Sequence, residues 1–271
     1  MADRPYAEVI GDPIAHSKSP LIHRFWIEAL GLDADYRAAR VEPSELAAYF
    51  QARHADPAWR GCNLTIPHKL AALDHVEDRG GVRATIGAIN TAFRDEVEAL
   101  VGTNTDAAGF YAPISGFDFA GKPVTVVGAG GAARAVLFAL SRMIVGPVTI
   151  LNRSPLKAAA LLSAFGLKGE ALALSAPVPP SALLVNAGAL GMTGHPPLDL
   201  DLSALPYDAI VYDLVYAPLV TDLLAQAQDR GLEVVDGLEM LVAQAALAFE
   251  LFFGREPPRD RDDELRELLV A

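Results

Sequence analysis

In the segment CNLTIPHK (62–69) an apolar, β-favouring run ends in a proline, and a lysine follows two residues later. Lysine is scarce in this chain: Lys69 is one of only five lysines among 271 residues. A cation at a helix start opposes the helix dipole, which favours negative charge at that end. If a helix follows the segment, the position of Lys69 indicates a functional role for its ammonium group. The alternative is an ordinary solvated side chain.

Three other segments in the first part of the chain also end in polar residues at predicted strand ends or loops: GDPIAHSKSP (11–20), GAIN (87–90) and GTNTD (102–106). In α/β folds the ends of strands converge on the crevice where ligands bind. Such hydroxyls and amides, with one cation and one anion, suit a small polyhydroxylated acid. The candidates are Ser17, Ser19, Asn63, Thr65, Lys69, Asn90 and Asp106. The alternatives are local roles, in which Ser19 or Asp106 caps a helix and the asparagines satisfy loop backbone.

A glycine pattern of the form G-x-G-x-x-A occurs in VTVVGAGGAARAV (124–136), between a predicted strand and a predicted helix. In this context Gly128 permits a tight turn and Gly130 lets the backbone approach a pyrophosphate. Ala133 allows close packing of helix and strand, and the helix N-terminus supplies amides to an anion. The segment therefore predicts dinucleotide binding, against the alternative of a tight turn that binds nothing.

The next predicted strand, VTILNRS (148–154), ends in Asn152, Arg153 and Ser154, with Lys157 following. A site for NAD normally has an acidic residue here, which binds the 2′-hydroxyl of the ribose. An arginine suits a 2′-phosphate instead, so the sequence favours NADP over NAD. The alternative is a surface arginine and lysine at a helix start.

Short apolar segments alternate with helical patterns along most of the chain, which predicts parallel sheets with crossover helices. The length suggests about two domains at roughly 150 residues each. The expected fold class is α/β: an N-terminal substrate domain, then a doubly wound, Rossmann-type NADP domain. The expected domains are 1–105 for substrate and catalysis and 106–237 for the cofactor. The final apolar helix must pack, and we expect 238–271 to return to the first domain.

The composition argues against several classes of protein. A net charge of −12 without any basic run argues against a nucleic-acid partner. The single cysteine, Cys62, fits a reducing cytoplasm, and the N-terminus lacks a leader pattern. Apolar residues make up 52% of the chain, but no run is long enough to span a membrane. The six histidines show no metal-ligand spacing, so we expect no metal.

Seven segments, in order and with natural spacing, resemble the shikimate dehydrogenase family. They are GDPIAHSKSPLIH, NLTIPHK, GAINT, GTNTDAAGF, VGAGGAARAV, LNRS and GLEMLVAQAA, and the resemblance runs from about residue 6 to about residue 255. It implies reversible, NADPH-dependent reduction of 3-dehydroshikimate to shikimate in aromatic amino-acid biosynthesis. The expected protein is a cytoplasmic monomer or homodimer that binds a small-molecule substrate.

The resemblance also implies roles for individual residues. Lys69 and Asp106 match the catalytic pair, and Ser17 and Ser19 match the serines that hold the substrate carboxylate. The other substrate-binding matches are Asn63, Thr65, Asn90, Tyr216 and Gln244. The cofactor-binding matches are Gly128, Ala129, Gly130, Gly131, Ala132, Asn152, Arg153, Ser154, Lys157 and Gly237. In this role protonated Lys69 would stabilise charge developing on a carbonyl oxygen, and Asp106 would orient it.

Two positions depart from the family's pattern. The family often has N-x-T-S-x-G-M after the third cofactor-domain strand, whereas Gly188 and Ala189 stand here in place of the hydroxyl residues. Glu239 stands where a glycine is frequent. Both departures bear on affinity and rate more than on the type of reaction. The alternatives left open are a quinate or dual quinate/shikimate dehydrogenase, and a non-catalytic regulator that binds NADP or a metabolite.

Overall fold

The computed structural model describes residues 4–271, which form two compact α/β units. The first unit consists of the chain up to Thr105 together with Val242–Ala271, and the second is Asp106–Leu241. Each unit is built on one sheet. The expected fold class of two α/β domains is confirmed.

The first unit has a mixed sheet with the order β2-β1-β3-β4-β5. Strand β1 pairs in parallel with β2 and β3, whereas β4 pairs antiparallel with β3 and β5. The antiparallel pair needs only a tight charged turn at 95–99. The strands are β1 (Tyr6–Gly11), β2 (Asp35–Arg40), β3 (Trp59–Leu64), β4 (Thr91–Arg94) and β5 (Leu100–Thr103); the helices are α1 (Ser19–Ala29), α2 (Leu46–His54) and α3 (Val82–Thr85).

The second unit has a fully parallel sheet with the order β11-β10-β9-β6-β7-β8. This is the strand order of the doubly wound dinucleotide-binding fold, with the order reversing at β6 and β9. Every residue of β6, β9 and β10 is buried, as expected where helices cover both faces of a parallel sheet. The elements are α4 (Asp106–Tyr111), β6 (Val124–Val127), α5 (Gly131–Arg142), β7 (Val148–Asn152), α6 (Pro155–Ala164), β8 (Gly169–Ala173), β9 (Leu183–Asn186), β10 (Ile210–Asp213), α7 (Asp222–Asp229) and β11 (Glu233–Val235).

The C-terminal segment completes the first unit with α8 (Gly237–Phe253), which starts in the second unit, and α9 (Asp262–Val270). The Phe249 ring lies 5.5 Å from that of Trp26 on α1, in an edge arrangement. Gly61 of β3 makes room for α8, because a Cβ there would lie 2.5 Å from the Phe252 ring. In α9, Leu265 and Leu269 are buried, so one face of this charged helix packs against the protein.

Candidate active site

Lys69 lies in the turn that follows β3, within the first unit. Only a short 3₁₀ turn follows it, at Ala71–His75, so the dipole conflict expected for a cation at a helix start is weak. The Lys69 carbonyl accepts a hydrogen bond from the Ile89 amide at 2.8 Å. The preceding His68 is 1% exposed, and its Nε2 lies 2.7 Å from the Val41 carbonyl, which can only accept. The turn that carries Lys69 is therefore fixed by both backbone and side-chain bonds.

Thr65 precedes the same turn and is half-buried. Its amide donates to the Ile10 carbonyl at 3.0 Å, and its carbonyl accepts from the His68 amide at 2.8 Å. A Cβ on Gly11 would lie 2.5 Å from the Thr65 side chain, so glycine at the end of β1 admits this close approach. The backbone of Thr65 thus holds the turn to the end of β1.

The serine loop precedes α1, and its two serines are linked by the Ser19 amide, which donates to Ser17 Oγ at 3.3 Å. Ser19 is 5% exposed and is the first residue of the helix, whereas the cap position is Lys18 and has no side-chain cap bond. The helix-capping alternative for Ser19 is therefore wrong. Lys18 Nζ donates to the Leu269 carbonyl at 2.5 Å, so the loop is tied to the last turn of α9.

Asn63, at the end of β3, has both hydrogens of its amide engaged within the first unit. Its Nδ2 donates to the Asn90 carbonyl at 3.3 Å and to Thr91 Oγ1 at 3.0 Å. Its Oδ1 accepts the Tyr36 hydroxyl at 2.6 Å, and the residue is 5% exposed. What Asn63 can offer a ligand is the remaining lone pair of Oδ1, which accepts from a hydroxyl.

Asn90 connects β3 to residues that lie far along the chain. Its Nδ2 donates to Thr105 Oγ1 at 2.8 Å and to Gln244 Oε1 at 3.1 Å. Its Oδ1 accepts the Thr105 amide at 2.7 Å and the Thr91 hydroxyl at 3.2 Å. The Thr105 hydroxyl also donates to Gln244 Oε1, at 3.3 Å. The Gln244 oxygen therefore accepts two hydrogen bonds within the network.

The structure thus brings three predicted residues, Asn63, Asn90 and Gln244, into one buried network of the first unit. The loop-backbone alternative for the asparagines is also realised in part, since Asn90 Oδ1 binds the Thr105 amide. Three members of the network were not anticipated: Tyr36, Thr91 and Thr105. The two threonines directly adjoin singled-out residues in GAINT and NTD, which is a usable signal, whereas a lone tyrosine in a strand gives none.

Asp106 and Tyr216 belong to the second unit. Asp106 is 4% exposed and is the first residue of α4, where a carboxylate is favoured by the helix dipole. Tyr216 is half-buried after β10, and burial raises the pKa of its phenol, so the hydroxyl remains a donor at neutral pH. The Tyr216 hydroxyl can therefore donate a hydrogen bond to a substrate.

The glycine loop joins β6 to α5. Gly128 has φ +108°, and a Cβ there would lie 3.1 Å from the backbone of Ala187, so the turn itself requires glycine. A Cβ on the exposed Gly130 would meet nothing within 4 Å. Packing within the protein therefore does not require glycine at 130. Gly131 and Ala132 open α5, and Ala129 and Ala133 are buried beneath the loop.

Arg153 follows β7 and lines a pocket of about 460 Å³ with Leu174, Ser175, Leu198 and Asp199 among its walls. Within residues 4–271 the exposed Arg153 guanidinium has no carboxylate in ion-pair range, which leaves it available to a phosphate. The Asn152 amide donates to the Ser154 carbonyl at 2.9 Å and shapes the loop. Ser154 occupies the N-cap position of α6 without a side-chain cap bond, and Lys157 lies exposed on this helix. These features fit a 2′-phosphate.

The loop after β9, where the sequence departs from the family's pattern, is held by Asn186. Its Oδ1 accepts the Gly188 amide at 3.0 Å, and its Nδ2 donates to the Leu190 carbonyl at 3.0 Å and to Asp213 Oδ1 at 2.8 Å. Burial raises the pKa of Asp213, although hydrogen bonds from Val215, Thr221 and Asn186 oppose the rise. The backbone of this loop is thus fixed without the hydroxyls that the family often has here.

The first turn of α8 carries Gly237 and Glu239. A Cβ on Gly237 would lie 2.5 Å from the Leu214 carbonyl oxygen, so close backbone approach explains this glycine whether or not a ligand binds nearby. Glu239 places a carboxylate in the first turn of the helix, where the dipole favours it. The described residues contain no group of three or more His, Cys, Asp or Glu side chains that could hold a metal ion.

Comparisons with known proteins agree with these features. Residues 9–92 match the model of the shikimate dehydrogenase substrate binding domain, and residues 237–262 match that of the shikimate 5′-dehydrogenase C-terminal domain. The shikimate dehydrogenase (NADP(+)) of Sphingopyxis alaskensis is 67% identical over 267 residues, which are 98% of this chain and 97% of that protein.

Solved structures with the same fold include more than one enzyme. The shikimate 5-dehydrogenase of Thermus thermophilus, solved with NADP(H) and shikimate, is 38% identical with a TM-score of 0.84, covering 98% of this chain and 99% of that one. A ligand-free 5-ketofructose reductase from Gluconobacter sp. strain CHM43 is 31% identical with a TM-score of 0.87, covering 98% of both chains. With 67% identity over nearly its whole length to a member, the chain belongs to the shikimate dehydrogenase family, as its motifs indicated.

Proposed function

We propose that this chain catalyses the reversible, NADPH-dependent reduction of 3-dehydroshikimate to shikimate, a step of aromatic amino-acid biosynthesis. It is then an NADP-dependent oxidoreductase that acts on a CH–OH group. The observation that carries the proposal is 67% identity to a shikimate dehydrogenase (NADP(+)) over 98% of the chain. The polar chemistry of the first unit and the phosphate-binding features of the second support it.

The substrate is a carboxylic acid with several hydroxyls, which matches the groups that the first unit offers. We assign its carboxylate to the Ser17 and Ser19 hydroxyls, with Tyr216 as a further donor. We assign its hydroxyls to Thr65, Asn63 and Gln244. Asn90, whose amide makes four bonds within the network, is assigned the role of holding Asn63 and Gln244 in place. Buried polar groups of this kind discriminate well, because an analogue that lacks a hydroxyl leaves them unpaired.

The cofactor is assigned to the second unit, where the residues present fit NADP. The backbone of Gly128–Ala132 and the start of α5 would hold the pyrophosphate, with Gly130 giving room for close approach. Asn152, Arg153, Ser154 and Lys157 would surround the adenosine phosphate, and Gly237 would lie on the nicotinamide side. When bound, NADPH supplies the hydride.

Lys69 is assigned the proton transfer. As the carbonyl carbon of the substrate receives a hydride, negative charge develops on its oxygen, and the Lys69 ammonium stabilises that charge and donates a proton to it. The neutral amine left on Lys69 Nζ accepts the hydroxyl proton in the reverse direction. Asp106 is assigned as the carboxylate that orients the ammonium and favours its charged form.

The direct test is a spectrophotometric assay of the purified protein with shikimate and NADP⁺, following NADPH formation. Lys69→Ala should lower kcat by about 10²–10⁴-fold, the usual contribution of a positioned proton donor, with a smaller effect on NADP affinity. Exposed Lys168→Ala, far along the chain on the loop before β8, is the matched control. If Lys69→Ala has the same kcat as the wild-type protein, Lys69 is not the catalytic proton donor.

The same assay with quinate, and with NAD⁺ in place of NADP⁺, tests the alternative of a quinate or dual-specificity dehydrogenase. Binding of NADP and shikimate without turnover would instead favour the non-catalytic regulator. We further propose that the protein acts in the cytoplasm as a monomer or homodimer, without nucleic-acid or membrane partners. Among the helices of residues 4–271, none is long and apolar enough to cross a membrane.

A further inference from the structure

The hydrogen-bond network of the first unit has a defined direction, set by two backbone groups that cannot change role. The Asn90 carbonyl only accepts, so the Asn63 amide atom that faces it at 3.3 Å must be the nitrogen. The Asn63 oxygen is then the atom that faces Tyr36, and the Tyr36 hydroxyl must donate to it at 2.6 Å. The Thr105 amide only donates, which fixes Asn90 Oδ1 toward it at 2.7 Å.

These two bonds to backbone groups fix which atom is the donor and which the acceptor in every other hydrogen bond of the network. Asn63 Nδ2 donates to Thr91 Oγ1, and the Thr91 hydroxyl donates to Asn90 Oδ1. Asn90 Nδ2 donates to Thr105 Oγ1, and the Thr105 hydroxyl donates to Gln244 Oε1. Turning any one amide over would set two acceptors or two donors against each other. The result is a directed chain of five hydrogen bonds that begins at Tyr36 and ends on α8.

Tyr36 is held firmly at the head of this chain. It lies on β2 with 0% exposure, and its ring stacks on that of His23 with 3.9 Å between centroids and 1° between planes. The ring of Phe252 on α8 lies 6.3 Å away on a tilted approach. Burial raises the pKa of the Tyr36 phenol well above its usual value, so the hydroxyl remains a donor at any working pH.

We propose that Tyr36 is a positioning residue for the substrate site: its hydroxyl donates to Asn63 Oδ1 and holds in place the side chain whose orientation the Asn90 carbonyl sets. Asn63 then presents the remaining lone pair of its Oδ1 as an acceptor for a substrate hydroxyl. Tyr36 itself contacts no substrate. The part of this inference that concerns substrate rests on the proposed function, whereas the part that concerns amide orientation does not.

The test is Tyr36→Phe, which removes only the hydroxyl and leaves a buried acceptor on Asn63 unsatisfied. We expect KM for shikimate to rise by about 10-fold to 100-fold, with kcat changed less than about threefold and KM for NADP unchanged. The matched control is Tyr49→Phe. Tyr49 is also a buried tyrosine of the first unit, but its hydroxyl donates to Glu8 at 2.8 Å and takes no part in the chain. It should leave both KM values within about twofold.

A second readout does not depend on turnover. In ¹⁵N-labelled protein, the side-chain NH₂ resonances of Asn63 should move in Tyr36→Phe and stay in place in Tyr49→Phe. If wild-type protein fails to turn over shikimate, the proposed function fails, and these resonances still decide the positioning role. Resonances that stay in place in both variants, or equal rises of KM for shikimate and NADP in Tyr36→Phe, would overturn the proposal.

If Tyr36→Phe does not fold, Thr91→Val breaks the next link while leaving Tyr36 in place. Thr91→Val should raise KM for shikimate selectively, and Thr91→Ser, which keeps the hydroxyl, should restore it. A loss of the same size in both Thr91 variants would show that packing, and not the directed chain, is what matters.

Discussion

His23 predicts how the first unit responds to acid. The side chain is fully buried, and neither ring nitrogen has a hydrogen-bond partner within the described residues 4–271. Burial lowers its pKa from 6.5 to about 3, because the charged imidazolium cannot be solvated there. In the unfolded chain the pKa returns to its ordinary value, so between these two values the unfolded state binds the proton and the folded state does not.

The sign and size follow from this difference. The stabilising contribution is present above pH 6.5 and is lost as the pH falls toward 3, at up to about 1.4 kcal/mol per pH unit. Between about pH 7 and pH 4.5 the free energy of unfolding should therefore fall by roughly 2–3 kcal/mol on account of His23 alone. Replacing His23 by phenylalanine, which keeps a planar ring against Tyr36, should remove this component.

The assay is urea unfolding at a series of pH values, followed by tryptophan fluorescence. The two tryptophans of the chain, Trp26 and Trp59, are both buried in the first unit, so the signal reports on that unit. His54→Phe is the control, since His54 is exposed on α2. A wild-type protein and a His23→Phe variant with the same slope of unfolding free energy between about pH 6.5 and pH 4.5 would refute the reasoning.

Two further outcomes follow from ionic groups. Arg153→Ala should raise KM for NADP by about tenfold to a hundredfold, because it removes a charge-assisted hydrogen bond to the 2′-phosphate. Steady-state assays with each cofactor should show little change in KM for NAD. Equal increases of KM for the two cofactors would contradict the phosphate assignment. Arg53→Met should lower the free energy of unfolding by about 3 kcal/mol in urea titrations. The reason is that it removes the guanidinium whose Nε lies 2.6 Å from the buried Glu8 carboxylate, so that this buried charge loses its ion pair with Arg53. Arg24→Met, which breaks an exposed pair with Asp35, should cost less than about 1 kcal/mol, and similar losses in the two variants would refute the difference in burial.

Local patterns in the sequence identify most of the helices and strands, because apolar periodicity and the glycines that end helices depend only on residues close together in the chain. The sequence pattern does not predict strand β8, because its residues GEALA are mostly exposed at the edge of the sheet and form no continuous apolar run. Nor does it predict the 3₁₀ turn after Lys69, because proline and turn chemistry in the preceding residues end the strand without starting an α-helix.

The site is predictable from the sequence wherever a motif holds its members close together. Lys69, the serine loop and the glycine loop are of this kind, and each lies in one continuous segment. The bond between Asn90 and Gln244 joins residues 154 positions apart, and no local pattern specifies it; only resemblance points to both. Tyr36 enters the network through a hydroxyl whose partner depends on the pairing of β2, β1 and β3, which single-residue reasoning does not resolve.

The discontinuous first unit has a consequence for synthesis of the chain. Its aromatic core pairs His23, Trp26 and Tyr36, made early, with Phe249 and Phe252, made almost last. The second unit is continuous in sequence and can close while the ribosome is still at work, whereas the first must wait with apolar rings uncovered until α8 emerges. A nascent chain stalled before α8 would therefore be prone to aggregate through its exposed aromatic side chains. The speed of translation through roughly the last thirty codons then affects the yield of folded protein.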